Sequence, residues 1–259
     1  MVAGPLKTVW MVSGNKGGVG KSLFCLGLAS TLEILGEKFS ILDGDSRVGD
    51  VFAVFLRKCP ALQADFRQLQ PGFEDKFTNC KQDSVFENMI HDLLKTSSHL
   101  IINTPDGADD VLMKWFDATL KYSEANNYLF KFMYLMSDRP DGLTILPKLN
   151  KSFSFLYPIR NLHFGSEDIF TVFNRDYSHM YHEVVDFPVL RGQEVRMLLD
   201  LHTYPSEAIK PRQSLSQAMS LPVLSRSRLQ TWLAEIGDTF GDVIDNKTEP
   251  NTKIAALQG

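Results

Sequence analysis

Cysteine is scarce: the 259 residues hold three, Cys25, Cys59 and Cys80, and no Cys-x-x-Cys pair. An odd, scattered set argues against a disulfide framework or a structural zinc site and predicts a reducing compartment. Positive charge is not in excess either, with 27 Lys and Arg against 31 Asp and Glu and a formal net charge of −4. The global basic field of a dedicated nucleic-acid binder is therefore missing, which still leaves room for a local basic face. No apolar run approaches the length that spans a bilayer, and no charged-then-apolar leader opens the chain. A soluble, cytoplasmic protein is expected. The six histidines are scattered, and His179 and His182 stand three apart with no third metal ligand in view. Internal repeats and low-complexity tracts are lacking.

What is present is a hydrophobic share of 44%, enough for a full core in one large α/β domain or two small ones. One stretch carries most of the chemistry. Ser13 to Ser22 reads Ser-Gly-Asn-Lys-Gly-Gly-Val-Gly-Lys-Ser, ending in the Gly-Lys-Ser of a phosphate-binding loop. Thr8–Val12 before it is an apolar, β-prone run. Leu23, Leu26, Ala29 and Leu32 after it recur at helical spacing as far as Gly36. Strand, Gly-rich turn and helix, in that order, are the context this motif requires. Glycines let the backbone N–H groups of Gly17, Gly18, Val19 and Gly20 fold around a polyphosphate, and the helix adds the positive end of its dipole. Lys21 is expected to reach the β- and γ-phosphates, and the Ser22 hydroxyl to ligate Mg²⁺.

A second lysine, Lys16, stands five residues before Lys21. Lys-Gly-Gly-Val-Gly-Lys-Ser resembles the deviant Walker A box of the ParA/MinD superfamily of ATPases. The resemblance implies that Lys16 crosses a dimer interface and stabilises charge on the phosphoryl group bound by the other subunit, as an arginine finger does in trans. Two further segments match in order. Phe39–Leu42 leads into Asp43-Gly44-Asp45, and likeness to the family's second motif assigns Asp45 to orienting the attacking water. Asp43 is then assigned to Mg²⁺-bound water or to support of the loop. Leu100–Ile102 leads into Asn103-Thr104-Pro105-Asp106-Gly107, similar to the switch segment whose first residue is an aspartate contacting the metal's water shell. Here that residue is Asn103, whose amide oxygen can still accept from a metal-bound water but carries no charge. Asp106, Asp109 and Asp110 are the candidates to compensate. A weaker match is Asp168–Phe173, read as a late strand, with Asn174 after it to pair with adenine. Asp186-Phe187-Pro188 resembles the family's strand-then-Pro segment beside the base.

Strand-like runs at 8–12, 39–42, 99–102, 131–136 and 169–173 alternate with helical patterns at 21–35, 84–95, 108–122 and 143–155. The strands lack period-2 alternation, so the expected fold is α/β, a mostly parallel twisted sheet with helices on both faces. The expected organisation is one domain over residues 1–245 and a polar tail over 246–259, with an excursion at 50–80 and an amphipathic helix at Ser225–Ile236. The tail lacks the basic amphipathic stripe of a membrane-targeting helix, which favours a ParA-like over a MinD-like role.

The resemblance thus implies an ATP- and Mg²⁺-dependent switch that forms a homodimer around ATP, meets a protein activator or cargo adaptor, and acts in plasmid partition, stability or conjugative transfer. It implies nonspecific DNA binding, for which Lys210, Arg212, Arg226 and Arg228 are the candidates, and no membrane partner. A nucleotide-binding adaptor with weak hydrolysis is the alternative that Asn103 keeps open. A metabolic or metallocluster-assembly protein of the same fold is another, disfavoured by where the cysteines fall.

Overall fold

β1 (Lys7–Gly14) is buried at every position after its first, because Val9 and Met11 face one layer while Trp10 and Val12 face the other. A strand covered on both sides needs apolar residues at consecutive positions, which is why period-2 alternation is missing. The same holds for β2 (Phe39–Asp43), β4 (His99–Asn103) and β5 (Tyr128–Met136). With β3 (Ala61–Gln63), β6 (Leu156–Asn161) and β7 (Val185–Phe187) they form a seven-stranded sheet in the order β3-β2-β4-β1-β5-β6-β7. Every pairing is parallel. The computed structural model describes residues 6–14, 16–45, 49–65, 82–108, 127–153, 155–210 and 221–245, with the backbone alone at 82–87, 242 and 245.

One face of the sheet is covered by α1 (Lys21–Ile34), α2 (Asp50–Phe55), α6 (Gln193–Leu199), α7 (Pro205–Ala208) and α8 (Val223–Asp245). The other carries α3 (Gln82–Leu94), α4 (Leu146–Ser152) and α5 (Thr171–Asp176). Gly27 lets α8 approach α1 closely, since a Cβ there would stand 2.7 Å from Ile236 Cδ1. Phe24 of α1 packs on both α8 and the sheet, with Phe240 at 4.9 Å and Phe187 of β7 at 5.2 Å between ring centroids. Each such fully buried side chain contributes roughly 1.5–3 kcal/mol. Lys131, 1% exposed in the middle of β5, lies 4.8 Å over the Trp10 ring and donates from Nζ to the Val243 carbonyl near the end of α8. A cation at a helix C-terminus is stabilising there.

Three expectations need correction. The run Asp168–Phe173 is not a strand: Glu167–Phe170 is a 3-10 turn that continues into α5. Phe170 and Phe173, three apart, are the buried positions, so the period is helical despite the β-prone composition. The sixth strand is instead Leu156–Asn161, which begins just past the helix expected over 143–155, in a stretch where no element is expected. The helix expected over 143–155 is a 3-10 segment, Pro140–Ile145, followed by the shorter α4. The helix expected at Ser225–Ile236 runs from Val223 to Asp245. The expected helix at 108–122 lies outside the described residues from 109 onward, as do Cys80 and the tail.

Candidate functional site

All the parallel strands end on the same edge of the sheet, and a cleft of about 400 Å³ opens there. Strand ends at that edge are where open α/β sheets bind ligands. Its walls come from the turn after β1 (Gly18, Gly20), the start of α1 (Lys21, Ser22, Leu23), the end of β4 (Asn103) and the loops after β2 and β4 (Asp45, Asp106). The far wall is apolar, built from Phe187 at the end of β7, Pro188 and Leu190 after it, and Val195 and Leu199 of α6.

The turn between β1 and α1 is shaped for an anion. Gly20 takes φ +97°, a left-handed conformation that glycine tolerates, and α1 starts there with no side-chain cap. An uncapped helix start directs unpaired N–H groups and the positive dipole end into the cleft. Lys21 is 8% exposed, and its Nζ meets Asp106 Oδ1 at 2.5 Å. Ser22 is half-buried beside it. Lys16 sits half-buried in the turn but does not line the cleft, and Gly17 is exposed.

Asn161, at the end of β6, was not foreseen. Its Nδ2 donates to the Val19 carbonyl at 2.7 Å, and its Oδ1 accepts from the His163 N–H at 3.0 Å. A Cβ on Gly20 would stand 2.6 Å from that Nδ2. The amide, on a residue that itself lines the cleft, therefore braces the turn, with both of its ends committed to backbone. The signal available was the dipeptide Arg160-Asn161 closing an apolar run, obscured by Pro158 inside it.

Asp43 is fully buried and does not line the cleft. Its Oδ1 accepts from the Asp45 N–H at 3.1 Å and from Asn103 Nδ2 at 2.9 Å, and its Oδ2 accepts from the Phe52 N–H at 2.9 Å. Burial pushes the Asp43 carboxyl above its ordinary range, while the hydrogen bonds from Phe52, Asn103 and Asp45 pull the other way. The geometry is that of a loop support, one of the two roles expected of Asp43. Among the described residues Asn103 Oδ1 is buried without a hydrogen-bond partner, and Asn103 borders the cleft. An orphan acceptor of this kind fits a donor from the cleft, such as a metal-bound water. Asp45 is half-buried on the wall, and Asp50 at the start of α2 is raised by burial.

Asn174 does not stand at a strand end. It lies on α5, outside the cleft lining, with Oδ1 accepting from Arg160 Nη1 at 3.2 Å and Nδ2 donating to the Glu167 carbonyl at 2.9 Å. Arg160 is itself clamped by Asp186 at 2.6 and 2.9 Å. The Asp186-Phe187-Pro188 segment, by contrast, does reach the cleft. Trp232 Nε1 of α8 donates to the Pro188 carbonyl at 3.1 Å and fixes that wall.

Among the four basic residues considered for DNA, Arg228 is spoken for: it donates to the buried Glu194 carboxylate at 2.6 and 2.9 Å. Lys210 is exposed, Arg226 is half-buried, and Arg212 lies outside the described residues, as do Asp109 and Asp110. Cys25 is fully buried in α1, and burial raises its thiol well above its ordinary value. The Cys59 thiol is pushed up to about 12 by burial. Neither is the accessible thiolate that a metal cluster requires. No group of three or more metal-binding side chains occurs among the described residues, and none of their helices is long and apolar enough to cross a membrane.

No family model matches the chain, and no match was found among curated proteins. Solved structures do resemble it. A ParA family ATPase from Chlorobium tepidum aligns with TM-score 0.52 and 14% identity over 88% of this chain and 98% of its own. A protein described as a plasmid partition protein from Borrelia burgdorferi, bound to AMPPNP, gives 0.51 and 13% over 90% and 98%. A nucleotide-binding protein from Archaeoglobus fulgidus in complex with ADP gives 0.50 and 15% over 78% and 88%. At these identities the likeness is one of architecture. The chain has the α/β P-loop fold of the ParA-family ATPases.

Proposed function

We propose that the chain binds ATP with Mg²⁺ in this cleft and hydrolyses it as a dimer-dependent switch in the cytoplasm. The observation that carries this reading is the convergence of Lys21, Ser22 and the uncapped start of α1 with Asp45 and Asn103 at one edge of the sheet. In this reading the N–H groups of Gly17, Gly18, Val19 and Gly20 cradle the phosphates, with Lys21 on the β- and γ-oxygens. Ser22 ligates Mg²⁺, and Asn103 Oδ1 accepts from its water shell. Asp43 holds Asn103 and Asp45 in register from behind. Bound Mg²⁺ would neutralise charge on the phosphates. Asp45 orients the attacking water, and Lys16 reaches the phosphates of a second copy of the chain. The base lies against Phe187, Pro188 and Leu190, in place of the Asn174 contact.

The Borrelia neighbour's description as a plasmid partition protein supports a role in plasmid partition for this reading; a protein activator or cargo adaptor is part of the proposal and rests on the sequence resemblance alone. Lys210 and Arg226 are the described cations left for nonspecific DNA contacts. A second reading, an adaptor that binds ATP and turns it over poorly, is favoured by the uncharged Asn103 and its bond to Asp43.

The test is Mg²⁺-ATP turnover by the purified protein with and without nonspecific duplex DNA at low salt. DNA stimulation that fades as salt rises supports the partition reading. DNA-independent turnover moves the search to a protein partner. ATP-dependent dimerisation without turnover identifies the adaptor.

A further inference from the structure

The cradle that the proposed function assigns to phosphate is already held by a carboxylate. Lys21 lies nine-tenths buried, and an ammonium so placed is costly without a counterion. Asp106 supplies it, with Oδ1 2.5 Å from Nζ. The second oxygen turns the other way: a Cβ built on Gly17 would collide with Asp106 Oδ2. One oxygen thus sits on the loop lysine and the other packs against Gly17, so the carboxylate lies in the turn where the reading above places a phosphate.

The segment bearing Asp106 has a fixed base and an open tip. Thr104 donates to the Val12 carbonyl from both its N–H, at 3.0 Å, and its Oγ1, at 2.9 Å, which pins the segment to the end of β1. Pro105 is buried, whereas the Asp106 side chain is 49% exposed. Gly107 follows in a left-handed conformation, φ +69°. Only the carboxylate and its immediate turn need to move to vacate the cradle.

We propose that Asp106 is a tethered anion that occupies the phosphate-binding turn in the unliganded protein, so that nucleotide binds by exchanging one counterion of Lys21 for another. This rests on the nucleotide reading above and adds a term to it: the apparent affinity for any polyphosphate is lowered by the fraction of molecules in which Asp106 is seated. The exchange makes two effects of one substitution opposite in sign. Removing the carboxylate strands the Lys21 ammonium in the empty protein and lowers its stability. The same change removes the competitor and raises affinity for phosphate.

The experiment compares the wild type with Asp106→Asn by calorimetric titration of ATP and of inorganic pyrophosphate in EDTA, alongside thermal unfolding without ligand. Asp106→Asn is expected to bind both ligands at least about tenfold more tightly, which corresponds to about 1.4 kcal/mol, while its unliganded melting temperature falls. Tight binding by the variant where the wild type binds too weakly to measure supports the proposal as well. Wild-type binding that the variant matches or falls below overturns it, leaves the nucleotide reading intact, and makes Asp106 a structural counterion or a ligand-side contact. Absence of ATP and pyrophosphate binding in both proteins removes the proposal and the nucleotide reading together. Asp106→Ser, which also lacks the charge, takes the same comparison if the asparagine variant does not fold.

Discussion

Asn103 Nδ2 donates to Asp43 Oδ1 across 2.9 Å in a site where both residues are buried. The pair explains how a neutral residue can stand at the end of β4 where the resembled motif has an aspartate. Its amide donates to a buried carboxylate and leaves Oδ1, on a residue that borders the cleft, without a partner among the described residues. Asn103→Asp would set two carboxyl groups against each other, and one of them would hold a proton well above the ordinary carboxylate range. The variant is expected to lose about 1–3 kcal/mol. A carboxyl whose value is raised in the folded state costs stability as pH rises through the interval between its unfolded and folded values. The extra loss in the variant should therefore grow from the acid range toward neutrality, and Mg²⁺ should reverse part of it. Urea unfolding from pH 4.5 to 8, with and without Mg²⁺, measures this; a loss that does not change with pH contradicts the account.

The brace from Asn161 to the phosphate-binding turn predicts a separation of affinity from stability. Asn161→Ala removes the donor to Val19 and the acceptor of the His163 N–H. A net hydrogen bond is worth about 0.5–1.5 kcal/mol, so a modest fall in unfolding free energy is expected. The larger effect should be on ATP binding, weakened about tenfold because the turn is no longer held in its cradle form. Titration and denaturant unfolding on the same preparation check the pair of values. An unaltered dissociation constant would make the brace irrelevant to the ligand.

How much of this was legible in the sequence varies along the chain. β1, the Gly-rich turn and α1 could be read because composition, period and turn chemistry agree there. β6 was hidden for two reasons. Pro158 breaks the strand pattern, and the apolar run through Phe153 and Phe155 merges with the helical spacing before it. α5 was hidden by the opposite conflict, since Ile169, Phe170, Val172 and Phe173 are β-prone residues of which only Phe170 and Phe173, at helical spacing, are buried. Losing β6 also lost Asn161, and reading 169–173 as a strand set Asn174 at a strand end, whereas it lies on α5 outside the cleft lining. No pattern marks Asp106 as the partner of Lys21, because 85 residues separate them and only the pairing of β1 with β4 brings them together.

The ion pair of Arg228 with Glu194 predicts a pH signature of the reverse kind. Burial alone would raise the Glu194 carboxyl, but hydrogen bonds from its own N–H, Ser225 and Arg228, with the charge of Arg228, outweigh it and hold the group below its ordinary value. Such a group contributes stability that is present above its unfolded value and lost as pH falls through its folded one. Arg228→Ala is expected to cost about 1–3 kcal/mol at neutral pH, discounted for the exposure of the arginine. The difference from the wild type should shrink below the ordinary glutamate range. Parallel unfolding curves at pH 7 and pH 3.5 measure it. An equal difference at both values would place the stabilisation in packing.

The most direct test of the central claim is equilibrium titration of Mg²⁺-ATP into the wild type and Lys21→Ala, after confirming that both are folded. The account predicts saturable binding by the wild type and a loss of at least a hundredfold, about 2.7 kcal/mol, in the variant. Equal affinity in the two proteins, or saturable binding by neither, would contradict the assignment of this cleft to nucleotide phosphate.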